Sequence, residues 1–242
     1  MISQTRNEKS NGAAGQDPRI SLQDQAYEEI KRRIITGVYA PGQYLNEKRI
    51  SEDISIGRTP VHQALDRLAS LDLIEIIPRK GVIVTPISFH HVLNLNDARE
   101  LNEPRCAALA AERATEHEIA ELDRILEQSI VAMNKRDLES LILLDRDFHE
   151  TIADASGNPI LANIMKMLHE RSLRVWFISL NDQQHLERVY REHAAIIVAI
   201  KKRDAALAAE AMHAHIQSHI DNISHNKSVD GLVRRYRAQN LM

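Results

Sequence analysis

Asp145, His149, His193 and His215 are the residues of this 242-residue chain whose types and spacing point most directly to chemistry. Asp145 and His149 are four apart, so on a helix they share a face. Leu138, Leu141, Ile142, Phe148 and Ile152 make that face the apolar, inward one. A carboxylate placed there is costly unless it is paired or bound to a metal. His193 falls on a second stripe with Leu186, Val189, Ile196, Ile197 and Ile200, and His215 on a third with Ala208, Ala211, Met212 and Ile223. Three imidazoles and one carboxylate converging from three helices suit a divalent transition metal. Zinc comes first and nickel or manganese are alternatives, with positions left for water or a ligand carboxylate. The competing reading is strong, because a lone inward histidine is more often a hydrogen-bonded core residue than a ligand. The aspartate one turn before His149 favours the metal. The chain holds 12 histidines, which makes accidental clusters easier: His213, His219 and His225 lie close to His215. His90, His91, His117 and His185 read as surface.

Arg99 is the second candidate. It shares a stripe with Val92, Leu95, Asn102 and Cys106, and a buried guanidinium needs an anion that it can grip with two nitrogens. That anion is either the carboxylate of a small effector or an internal acid such as Glu103. Arg174 and Arg171 are weaker effector contacts.

The third group lies near the N-terminus. Arg58, Thr59, His62 and Gln63 fall on the first exposed turn of a helix, where the reading helix of a helix-turn-helix meets base edges. Arg58 suits guanine O6 and N7 together. Lys48 and Arg49 begin the preceding helix and can grip phosphates. Arg79 and Lys80 sit at a hairpin tip that Gly81 allows to turn tightly. Residues 20–87 hold nine Lys or Arg against nine Asp or Glu, so net charge does not favour DNA; the placement of the cations does.

The elements that must hold these residues follow from local signals. Ser21 caps a first helix ended by Gly37; a second spans 47–54; a third opens at Thr59-Pro60, with Thr59 as its cap and Pro60 in its first turn. Strand-like pieces at 74–77 and 82–85 flank Pro78-Arg79-Lys80-Gly81. After Pro86 the pattern is helical alone: 88–114, 116–134, 137–155, 158–179, 183–202 and 204–225, started by Thr115, Asp137, Asn181 and Asp204 and broken by Gly157-Asn158-Pro159. The expected fold is mainly α. A winged helix-turn-helix occupies 21–87 and a six-helix antiparallel bundle 88–225, after a disordered leader at 1–20 and before a basic tail at 226–242.

Composition sets the outer bounds. Hydrophobic residues make up 43%, charged residues 27% and aromatics 4%, so the core must come from Leu, Ile, Val and Ala. No run approaches the ~20 apolar residues that span a bilayer. The single Cys106 excludes an internal disulfide framework and, with no signal peptide, points to the cytoplasm. With a net charge of −3, DNA binding must use a local patch.

The segments Ile35–Gly42, Leu45-Asn46-Glu47, Gly57–Leu68 and Pro78–Val84 resemble the GntR family of transcriptional regulators. Gly57 stands where that family usually has Ser, and His62-Gln63 where it usually has Arg-Glu, which implies a different operator preference. Asp145–His149, Ser156-Gly157-Asn158-Pro159, Glu192-His193 and Met212–Ile216 resemble the FCD-type effector domain of the family's FadR branch, with six helices as in the VanR-like subgroup. The resemblance implies a metal held by Asp145, His149, His193 and His215, with Arg99, in Ala98–Glu103, facing the effector. It further implies a homodimer on a near-palindromic double-stranded DNA operator, acting as a repressor that senses a small organic acid. Two other readings stay open at this stage: a bundle that only dimerises, and a helical metalloenzyme activating water.

Overall fold

The computed structural model describes residues 20–179 and 183–225. Residues 1–19 of the leader expected at 1–20, the start signal at Asn181 and the basic tail expected at 226–242 lie outside them. Among the described residues there are nine helices and three short strands. No described helix is long and apolar enough to cross a membrane.

Helix α1 (Leu22–Ile35) starts where the Ser21 hydroxyl accepts the Asp24 amide at 3.1 Å. It buries Ala26, Tyr27, Ile30 and Ile34, while Leu22 is exposed. Asn46 caps α2 (Glu47–Ile54), which ends at Ser55 in the left-handed conformation. The third helix differs from expectation. α3 spans Arg58–Ser70 with extended Gly57 at its cap and no side-chain cap bond, so Thr59 is the second helical residue. Pro60 is tolerated there because the first turn's amides have no intrahelical partner. This shift places Arg58 at the very start of the reading helix.

The wing is β2 (Ile74–Ile77) against β3 (Gly81–Val84), antiparallel, with Ile77 opposite Gly81. A two-residue strand β1 (Tyr44–Leu45) adds to β3, giving the order β1-β3-β2. Sequence periodicity did not reveal β1, because two residues contain no period. Gly81 has φ +137°, and a Cβ there would stand 2.3 Å from the Leu45 carbonyl oxygen. The close approach of β1 therefore needs glycine at this position. Val61, Ala64, Leu65 and Leu68 of α3 close the core against α1, Leu73, Val82 and Val84.

The C-terminal bundle comprises α4 (Phe89–Arg113), α5 (Glu116–Lys135), α6 (Leu138–Ala155), α7 (Pro159–Ser179), α8 (Gln183–Lys201) and α9 (Ala205–His225). Thr115 and Glu118 form a reciprocal capping box, Asp137 accepts the Ser140 amide, and Asn158 accepts the amides of Ile160 and Leu161. α4 is the central helix, packed on α6, α7, α8 and α9. Its Ala107, Ala110 and Ala111 let the neighbours approach closely around Phe148, Ile152, Ile196, Ile200 and Met212.

α7 joins the two halves. Lys31 of α1 reaches Glu170 at 3.0 Å with both side chains buried, Arg171 pairs with Asp72 at 3.1 Å, and Arg174 donates to the Thr85 carbonyl at 2.5 Å.

Candidate metal centre and nucleic-acid interface

The packing of α6, α8 and α9 brings His149, His193 and His215 together. Their ligand-capable atoms lie within 4.8 Å of one another, and all three residues are buried. Asp145 stands at the edge of the group, its Oδ1 3.5 Å from His193 Nε2 and its side chain 17% exposed. The four residues singled out from the sequence therefore occupy one place.

The outer partners decide which nitrogens face inward. His215 Nδ1 lies 2.8 Å from Glu192 Oε2, which leaves its Nε2 for the interior. Glu103 Oε2 stands 2.6 Å from His149 Nδ1, close though off the line of a hydrogen bond. His149 Nε2 and His193 Nε2 are buried with no hydrogen-bond partner. Phe148 stacks on His193 at 3.9 Å and 13°. Such orphaned imidazole nitrogens cost free energy unless something ligates them, and carboxylates behind ligand histidines are the usual way to fix a metal-facing ring. Burial lowers the pKa of His149, and burial together with the neighbouring imidazoles holds His193 well below the ordinary histidine value. Both are thus in the neutral form that ligates. The donor set, three imidazoles with a carboxylate beside them, could hold a divalent metal ion.

Glu103 and His169 carry more of this site than their sequence positions suggested. Glu103 is fully enclosed by Arg99 Nε at 2.6 Å, His149 at 2.6 Å and His169 Nε2 at 3.2 Å. Burial alone would raise its pKa, but these three neighbours hold it well below the carboxylate range. Glu103, His149 and His169 form a second grouping with metal-ligand spacing, sharing His149 with the first. The sequence signal for Glu103 was its position one turn after Arg99; His169 carried none.

Arg99 is 1% exposed, paired with Glu103, and its guanidinium carbon lies 4.6 Å above the Trp176 ring. It also lines a cavity of about 20 Å³ with Asp145, Trp176, His185 and His215. A second cavity of about 30 Å³, between Asp145, His193, Met133 and Tyr190, lies beside it. Each holds about one water and neither holds an organic acid as it stands. Arg174 sits away from both, at the junction with the wing, as does Arg171. His185, read as surface, is buried, and its pKa falls to about 4 chiefly through that burial. The polar residues around it in sequence, Gln183, Gln184, Glu187 and Arg188, had masked its inward position.

In the winged half, Arg58, Thr59, His62 and Gln63 are exposed along the start of α3, and Lys48 and Arg49 along α2. Arg79 and Lys80 are exposed at the wing tip, before Gly81. Lys48 and Arg49 make only loose contacts to Glu52 and Asp53, at 3.7 and 3.8 Å. His62 is engaged: its Nδ1 lies 2.9 Å from Glu47 Oε1 and its Nε2 3.8 Å from Asp66. The hydrogen bond to Glu47, and then the two carboxylate charges, raise its pKa. Glu47 thus joins the reading face as an acid whose part there was not legible in the sequence.

Known proteins show the same organisation. Residues 22–84 match the gntR family of bacterial regulatory proteins, and residues 94–218 match the FCD domain. The HTH-type transcriptional repressor RspR of Escherichia coli is 30% identical over 83% of this chain and 88% of its own. The gluconate operon transcriptional repressor of Bacillus subtilis is 28% identical over 81% of this chain and 82% of its own. The solved structure of E. coli McbR/YncC superposes with a TM-score of 0.74 at 26% identity, over 90% of this chain and 99% of that one. The chain therefore belongs to the GntR family of bacterial transcriptional regulators, DNA-binding proteins rather than enzymes, with a winged helix-turn-helix followed by an FCD domain.

Proposed function

We propose that this protein is a metal-dependent, ligand-responsive repressor that binds a near-palindromic operator as a homodimer and senses a small organic acid in its FCD domain. The observation that carries the reading is the convergence of three buried imidazoles, two of them with orphaned Nε2 atoms, beside Asp145 and backed by Glu103 and Glu192. Asp145, His149, His193 and His215 would hold the ion, which would supply a Lewis-acidic anchor for a carboxylate. Arg99, fixed by Glu103 and Trp176, would present positive charge to the same ligand. The six helices from α4 to α9 support placing the domain in the VanR-like subgroup.

The smallness of the two cavities supports coupling to DNA. An organic acid can enter only by parting the helices around Asp145, so its binding free energy is tied to a change of packing. α7 carries His169 and Trp176 at the site, and also Glu170, Arg171 and Arg174 at the winged half. A change of packing at the site therefore bears on the placement of Arg58, Thr59, His62 and Gln63. Lys48, Arg49, Arg79 and Lys80 would hold phosphates and the neighbouring groove. The Arg99–Glu103 pair favours a second reading, in which the polar cluster is structural and the domain only dimerises.

Metal analysis of the purified protein separates them. About one ion per chain, lost in folded His149→Ala and His193→Ala variants, supports the site. Carboxylates that then raise the melting temperature only of the metal-loaded protein support sensing. A metal-free protein that resists reconstitution refutes the metal site and favours the structural reading of the cluster. A footprint without two-fold symmetry counts against the dimer.

A further inference from the structure

His62 stands on the reading face of α3 with its side chain 59% exposed, and only one of its two ring nitrogens is held by a hydrogen bond. Nδ1 lies 2.9 Å from Oε1 of Glu47, which reaches across from the first turn of α2. Asn46 fixes that turn by accepting the Arg49 amide at 2.8 Å, and Ile50, Val61 and Ala64 pack α2 and α3 into one enclosed core. The fold therefore delivers the carboxylate to the imidazole. A carboxylate offers only acceptors, so the proton between the two sits on Nδ1 whether the ring is neutral or charged. The variable nitrogen is then Nε2. Asp66, one turn on along α3, stands 3.8 Å from it, too far for a hydrogen bond, which leaves Nε2 open to a partner from outside. Glu47 from α2 and Asp66 from α3 are the charged groups that bear on the ring, and both favour its protonated form.

The edges of base pairs in the major groove distinguish the two states of Nε2. Protonated, it is a donor and suits guanine, which presents N7 and O6 as acceptors. Neutral, it is an acceptor and suits an exocyclic amino group, N4 of cytosine or N6 of adenine. An arginine in this place would donate at every pH. The geometry points to Glu47 and His62 as one reading unit. Glu47 is the positioning residue that fixes the Nδ1 proton and leaves Nε2 for the groove; His62 selects guanine when charged and an amino-bearing base when neutral. This deepens the reading of α3 as the helix that meets base edges, and rests on it. The consequence is a regulator whose choice of sequence at one base pair, and not only its affinity, changes with pH.

Selection of bound duplexes from a randomised pool by the full-length protein, at about pH 5.5 and about pH 9, tests this, since the two conditions bracket the ordinary histidine value of ~6.5. At the lower pH the wild type is expected to enrich guanine at one position by about fivefold or more, and at the higher pH cytosine or adenine there. The sequences recovered tell those two apart. His62→Gln does not titrate and is expected to show one preference at that position under both conditions. Glu47→Ala releases the Nδ1 proton, and Asp66 then favours the neutral ring's proton on Nε2, so guanine is expected at both. A merely structural Glu47 would weaken selection without fixing the base. Arg58→Ala is expected to relax a different position and to leave the shift intact. A wild type that selects the same bases at both pH values overturns the proposal while the reading helix stands. So does a shift that persists in His62→Gln, or one that is unchanged in Glu47→Ala. A wild type that selects no sequence at either pH overturns the reading of α3 and the proposal together.

Discussion

Replacing Glu103 with leucine is the sharpest test of how the effector half is held. The side chain is 3% exposed and stands against Arg99, His149 and His169, with Arg99 itself 1% exposed. Leucine fills comparable space but leaves a guanidinium in the interior without its carboxylate. The Trp176 face already contacts Arg99 in the wild type, so it offers no new compensation. Removing one partner of a buried ion pair costs about 3–5 kcal/mol. Domains of this size are stable by roughly 5–15 kcal/mol in total, and 1 kcal/mol lowers the melting temperature by about 2–4 °C. Glu103→Leu is therefore expected to melt about 6–20 °C lower by calorimetry. The discriminating step is the double variant Arg99→Met with Glu103→Leu. Replacing both members of a buried pair by apolar groups is often neutral, so most of the loss should be recovered. A Glu103→Leu protein within about 1 kcal/mol of wild type would refute the argument. So would a double variant as unstable as the single one.

Three further outcomes follow from the winged half. Arg58→Ala is expected to weaken operator binding by about 1–3 kcal/mol and to relax preference at one base pair, whereas Lys48→Ala should weaken all sequences alike and reduce the salt slope by about one; selection on randomised operators separates the two. Gly81→Val would place a Cβ 2.3 Å from the Leu45 carbonyl oxygen at φ +137°, so β1 must leave β3. The expected cost is about 1–3 kcal/mol, read by urea denaturation, with weaker DNA binding. His62 has its pKa raised by Glu47 and Asp66, so it keeps its proton above the usual histidine range and loses it as pH rises through that raised value. Operator affinity and the small stabilisation from the Glu47 pair should both be full below the ordinary histidine pKa and fall as pH rises through the raised value, and His62→Gln should flatten the profile; an unchanged profile in that variant would refute it.

Much of this architecture was legible in sequence, for local reasons. Ser21, Thr115 and Asp137 cap helices by accepting from amides three residues ahead, and Gly157-Asn158-Pro159 breaks one helix and starts the next; none of this needs distant partners. The one-turn spacing of Asp145 and His149 put both on an apolar face, and the stripes around His193 and His215 did the same, so the four could be grouped before their distances were known. What local pattern could not supply was the company each group keeps. Glu103 and Arg99 share one turn of helix, but only the packing of α4 against α6 and α7 brings His149 and His169 to the same carboxylate. His185 turns inward from a polar stretch because of the bundle around it, and β1 exists because Gly81 lets the backbone approach. Periodicity reports which face of an element is buried, whereas a site depends on which faces meet, and that is decided by tertiary packing.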